Sequence, residues 1–145
     1  MESAHVYNVD IEWLQDRKGV ASSPELDNTV EVVTPPEFPK GIAGVWSPEH
    51  FFVAAVNSCL MTTFLAVAEN SKLNFVSFKS QATGTLEKVE GKFMMTKVLL
   101  KPHVVLPEGE SPERAQKVLT MSEKACLISN SVKSEVVMDA TVTFA

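Results

Sequence analysis

The sequence predicts a single α+β domain, residues 1–145, built on largely antiparallel sheet. Three observations carry that expectation. Residues 47–70 and 111–129 begin like capped helices and continue with helical apolar patterns. The segments around them alternate apolar and polar residues with period two, the mark of half-buried strands. Those strands come in neighbouring pairs, which gives hairpins and not a βαβ repeat.

Taken in order, Tyr7, Val9, Ile11 and Trp13 alternate as a half-buried strand. "QDRKGVASS" then reads as turn formers and charge, and "TVEVV" as a short second strand. "TPPEFPKGIAG" holds three prolines and two glycines in eleven residues, so it is a loop. In "SPEHFFVAAVNSCLMTTFLAVAEN", Ser47 is the N-cap, Pro48 suits the first helical position and Glu49 favours the positive end of the dipole. Its apolar residues go most of the way round, which predicts a long helix of roughly six turns enclosed by other elements. "LNFVSFKSQATGTLEKV" and "KFMMTKVLLKPHVVL" read as two strands joined at "EGK". A second helix starts at Ser111-Pro112 and carries Ala115, Val118, Leu119 and Ser122, with Ala125 or Cys126, on one face. Val136, Met138, Ala140, Val142 and Phe144 close the chain as one alternating strand. The expected order is β-β-α-β-β-α-β.

Bulk properties narrow the function. A chain of 145 residues with 45% apolar and 21% charged residues is an ordinary globular composition, long enough for one full core. A net charge of −5 disfavours nucleic-acid binding, which needs a concentrated basic surface. No run of about 18 apolar residues is free of polar interruption, so no membrane partner is expected. The N-terminal residues lack the pattern of a signal peptide, which places the protein in the cytoplasm. Two cysteines are too few for a cysteine-built zinc site, and His5, His50 and His103 lack metal-ligand spacing. No cofactor or metal is expected.

Cys59 sits in the middle of the first helix and Cys126 near the end of the second. From the residues alone, two packed thiols and a transient redox pair are both open readings.

"GVWSPEHFFVAAVNSCLMTTFLAVAE" resembles the helix signature of the OsmC/Ohr family (osmotically inducible protein C and organic hydroperoxide resistance protein). There a Ser/Asn-Pro-Glu helix start is followed, ten residues after the Glu, by a cysteine. "EKACLISNSV" resembles that family's second cysteine motif, and "DRKGVASS" its N-terminal arginine loop. The resemblance spans essentially the whole chain. It implies antiparallel sheets wrapped around a long buried central helix, in an intertwined homodimer with sites at the subunit interface. It implies a thiol-dependent peroxidase acting on organic hydroperoxides and recycled by an external dithiol: a lipoylated protein, thioredoxin or a small thiol. Carried onto this chain, Cys59 is the peroxidatic cysteine, Cys126 the resolving one, and Arg17 and Glu49 the polar partners of the reactive thiol. Two local departures stand out. The arginine loop here reads Asp16-Arg17-Lys18-Gly19, and Leu127 follows the second cysteine where a proline is common.

The chemistry suits those residue types. A free thiol is mostly protonated at neutral pH, and a nearby guanidinium favours the reactive thiolate. A carboxylate can orient that guanidinium through paired hydrogen bonds. Glu49 and Cys59 are ten residues apart, so one straight helix separates them by about 15 Å along its axis. If both serve one thiolate, the glutamate comes from a second copy. Two other readings compete: a hotdog-type acyl-binding or thioesterase domain with inert cysteines, and a redox-silent dimer that only binds ligands.

Overall fold

A computed structural model describes residues 4–145; Met1–Ser3, the start of the expected domain and of the segment read as lacking a signal peptide, lie outside the described residues. The chain falls into two compact units, one ending at Phe51 and one running from Phe52 to Ala145.

The first unit is built on a three-stranded antiparallel sheet in the order β1 (Asp10–Gln15), β2 (Lys18–Ser22), β3 (Val30–Val33). A two-residue turn, Asp16-Arg17, joins β1 to β2, with Gln15 paired to Lys18 and Asp16 at φ 49°. The sequence reading missed β2, whose residues look like a loop. As the middle strand it bonds to a neighbour on each side, and that pairing outweighs its modest strand propensity. The half-burial expected of the first strand is also corrected: all six residues of β1 are exposed, Ile11 at 65% and Trp13 at 72%. The Pro-rich loop folds back on β3, with the Val33 N–H donating to the Trp46 carbonyl at 2.9 Å.

α1 (Pro48–Asn70) starts as the sequence predicts. The Ser47 hydroxyl accepts the His50 N–H at 3.2 Å. Within the second unit the helix carries Val56, Leu60, Phe64 and Ala68 at four-residue spacing, so they share one face. β4 (Ser77–Val89) and β5 (Lys92–Leu106) form a long antiparallel hairpin, turned by Glu90-Gly91 with both residues at positive φ. On β5, Val98, Leu100, Pro102, Val104 and Leu106 alternate inward and are fully buried. Val56 and Leu60 pack on Val98 and Leu100. Phe64 and Ala68 pack with Val104, Leu106 and the buried face of α2 (Pro112–Ala125), formed by Ala115, Val118 and Leu119. Gly84 lets the helix approach the sheet, since a Cβ there would stand 2.3 Å from a Val53 methyl.

Two sequence expectations need correction here. The last strand is two strands, β6 (Glu135–Met138) and β7 (Thr141–Phe144), and both pair with β5 in parallel. The sheet is therefore mixed, not antiparallel throughout. The break at Asp139-Ala140 lies opposite Pro102, which has no N–H to continue the ladder. The enclosure of α1 also holds for one face only: Met61 is 40% and Leu65 43% exposed on this chain. By length and composition alone α1 is apolar enough to cross a bilayer, a test that core helices also pass. Its packed face against β5 and α2 is that of a core helix.

Candidate active site

The fold brings the two cysteines together. Cys59 faces inward from α1, and Cys126 ends α2 as its C-cap. Both are free and buried, Cys59 at 8% and Cys126 at 1% exposure. They are close enough for each thiol to influence the ionisation of the other.

After Cys126 the chain makes one tight turn, closed by the Asn130 N–H donating to the Cys126 carbonyl at 3.1 Å. The N–H groups that open such a turn have no acceptor inside it. Those of Leu127 and Ile128 favour an anion on the nearby sulfur of Cys59. The Thr63 hydroxyl, one helical turn on from Cys59, stands 3.8 Å from the same sulfur.

These groups make the two thiols unequal. Burial alone would push the Cys59 thiol up, but the Ile128 N–H, the Cys126 thiol, Thr63 and the Leu127 N–H together bring its pKa below the ordinary value. For Cys126 burial wins. Its pKa is raised, with the Cys59 sulfur adding to burial and the Ser129 hydroxyl and N–H opposing both. Of the two, Cys59 is therefore the thiol on which an anion is favoured and Cys126 the one on which it is disfavoured. Anion stabilisation at Cys59 comes in part from main-chain amides, which no residue type announces. Thr63 was legible as an i+4 neighbour and was missed.

Arg17 and Glu49 lie in the first unit. Arg17 occupies the β1–β2 turn, where its carbonyl accepts the Thr34 N–H at 3.1 Å. With Asp16, Lys40 and Ile42 it lines an open cavity of about 560 Å³. Glu49 sits in the first turn of α1, and its Oε1 is buried without a hydrogen-bond partner among the described residues. Among the described residues no three His, Cys, Asp or Glu side chains converge to hold a metal ion.

Fold and site define an α+β protein with a buried, electronically unequal dithiol. The chain belongs to the OsmC-like protein family, whose sequence pattern matches residues 41–141. It is similar to uncharacterized protein YmaD of Bacillus subtilis, at 24% identity over 135 residues, covering 91% of this chain and 89% of that one. Among solved structures it is similar to an OsmC-like protein of unknown function from Vibrio cholerae, with TM-score 0.86, 26% identity, and 94% and 99% of the two chains covered. An organic hydroperoxide resistance protein, OsmC, from Legionella pneumophila shares the fold, with TM-score 0.77, 19% identity, and 98% and 99% covered. The fold is thus OsmC-like rather than hotdog, as the two helices separated by a long hairpin require.

Proposed function

We propose that the protein is a thiol-dependent peroxidase that reduces organic hydroperoxides, with Cys59 as the peroxidatic and Cys126 as the resolving cysteine. The observation that carries this reading is the asymmetry of the pair: two buried thiols that influence each other's ionisation, with the anion favoured on one and disfavoured on the other. The hydroperoxide resistance name of the Legionella relative supports the substrate class.

In this reading the Cys59 thiolate attacks the distal oxygen of the hydroperoxide. The S–O bond forms, the O–O bond breaks, and the alkoxide takes up a proton to leave as the alcohol. Cys59 is left as a sulfenic acid. The Cys126 sulfur displaces its hydroxyl to give a disulfide and water, and an external dithiol (a lipoylated protein, thioredoxin or a small thiol) reduces that disulfide. Arg17 holds the peroxide oxygens and favours the thiolate, and Glu49 orients the guanidinium.

The protein works as a homodimer in the cytoplasm, with Glu49 acting on the partner's thiol. Three features support this arrangement: the exposed apolar face of α1 at Met61 and Leu65, the exposed apolar residues of β1, and the unpartnered buried oxygen of Glu49.

Titration of reduced protein with an alkyl hydroperoxide tests the reading. One equivalent should consume both thiols and leave one intramolecular disulfide by mass. Cys59→Ser should consume no peroxide, and Cys126→Ser should stop at an over-oxidisable sulfenic acid. Survival of both thiols in excess peroxide would refute the reading in favour of a redox-silent ligand-binding dimer.

A further inference from the structure

We infer that Ser129 is a positioning residue for the second thiol, its hydroxyl held beside Cys126 to receive a thiolate there once Cys59 has been oxidised. The inference rests on the peroxidase reading for its place in the cycle. Its geometry stands separately.

Ser129 follows Cys126 by three residues, at the start of the short 3-10 turn Ser129–Ser131. Cys126 is extended and its carbonyl accepts the Asn130 N–H, so it caps this turn, and the third residue on, Ser129, comes back toward a capping side chain. The turn contains a second serine, and the contrast is informative. The Ser131 hydroxyl donates to the Leu127 carbonyl at 2.8 Å and so serves the backbone. The Ser129 hydroxyl is buried and completes no hydrogen bond among the described residues. A buried hydroxyl without a partner is disfavoured and calls for a reason. Cys126, 1% exposed, supplies one. A neutral thiol is a poor acceptor, whereas a thiolate is a strong one. Both the hydroxyl and the N–H of Ser129 favour an anion on the Cys126 sulfur.

What opposes them is burial together with the Cys59 sulfur next door. A Cys59 thiolate forbids a second anion beside it. Oxidation removes that charge, because a sulfenic acid is neutral. Only then do the Ser129 donors have an anion to bind. The Cys126 electron pair then forms the S–S bond at the Cys59 sulfur. The S–O bond breaks, and its oxygen leaves as water with the proton that Cys126 gave up. Cys126 is oxidised, and the sulfenic sulfur is reduced to the disulfide level. The two cysteines thus ionise in sequence, with the order set by their mutual repulsion.

Two measurements test this on the full chain. In the first, wild type, Ser129→Ala and Ser129→Thr are mixed rapidly with one equivalent of an alkyl hydroperoxide, and Cys59 oxidation and disulfide formation are timed separately. Loss of a hydrogen bond to a charged group should slow disulfide formation by about tenfold in Ser129→Ala, out of proportion to any change in Cys59 oxidation. Threonine should restore it. Disulfide formation at the wild-type rate in Ser129→Ala, or failure of threonine to rescue, would overturn the inference.

The second measurement uses no peroxide. Cys59→Ser removes the neighbouring anion, so Cys126 should be alkylated by iodoacetamide faster than in wild type at the same pH. Adding Ser129→Ala should abolish that gain, and adding Ser129→Thr should keep it. A gain that survives Ser129→Ala overturns the inference. If this arm holds while excess peroxide leaves wild-type thiols intact, the peroxidase reading fails and the role of Ser129 toward the Cys126 thiolate stands.

Discussion

Leu127→Pro should raise the pKa of Cys59 while leaving the fold in place. The substitution deletes one main-chain donor, the Leu127 N–H, which favours the anion on Cys59. The site is suited to it. The Leu127 side chain is 66% exposed, so little packing is lost. Cys126 before it is already extended at φ −65° and ψ 108°, the region a following proline requires. Proline is also well tolerated at the first position of a helical turn. A hydrogen bond to a charged group is worth about 1.5–3 kcal/mol. Leu127 contributes least of the donors named at Cys59, so the low end applies, a factor of about ten in the thiolate population. Cys59 should therefore titrate higher in Leu127→Pro than in Leu127→Ala, which keeps the N–H and loses the side chain. Site-resolved alkylation followed across pH by peptide mass spectrometry reads this directly. Superimposable Cys59 profiles in the two variants would refute amide stabilisation of the thiolate.

Four further outcomes are expected. Arg17→Ala should raise the Cys59 pKa and slow peroxide turnover; an unchanged alkylation profile would make Arg17 a bystander. Co-refolding of Cys59→Ser with Glu49→Ala, each inactive alone, should recover up to about a quarter of wild-type activity per subunit if Glu49 acts across a two-fold dimer, and nothing if it acts within its own chain. Glu110 accepts the Ser111 N–H at 2.9 Å and the Asn74 N–H at 3.0 Å and pairs with Arg114, which hold its pKa below the ordinary value. Its stabilisation is then present above the unfolded pKa of about 4.3 and is lost as pH falls through the lower folded value. The stability gap between wild type and Glu110→Gln should shrink below about pH 4, and a gap constant down to about pH 3 would contradict this. Phe64 is fully buried against Phe75 and Phe78, at centroid distances of 5.1 and 4.7 Å. Phe64→Ala should cost about 3–5 kcal/mol in urea unfolding at fixed protein concentration, and a cost below about 1 kcal/mol would place the core elsewhere.

Local signals carried far in this chain. Ser47-Pro48-Glu49 and Ser111-Pro112 announce both helices, because an N-cap, a pre-set φ and a favourable end charge all act within one turn of chain. Glu90-Gly91 announces the long hairpin for the same kind of reason. The two cysteine motifs marked the residues that the fold then brought together. Other features depend on neighbours distant in sequence. β2 is a strand because β1 and β3 bond to it, and the last strand breaks because Pro102 on β5 cannot donate across. The lowered pKa of Cys59 owes part of its shift to amides of Leu127 and Ile128, which any non-proline residue would carry and which act on that thiol only once the chain after α2 lies near it. Sequence by itself marked the two thiols. Tertiary structure decided on which of them an anion is favoured, because burial and the placement of backbone N–H groups exist only once the chain has folded.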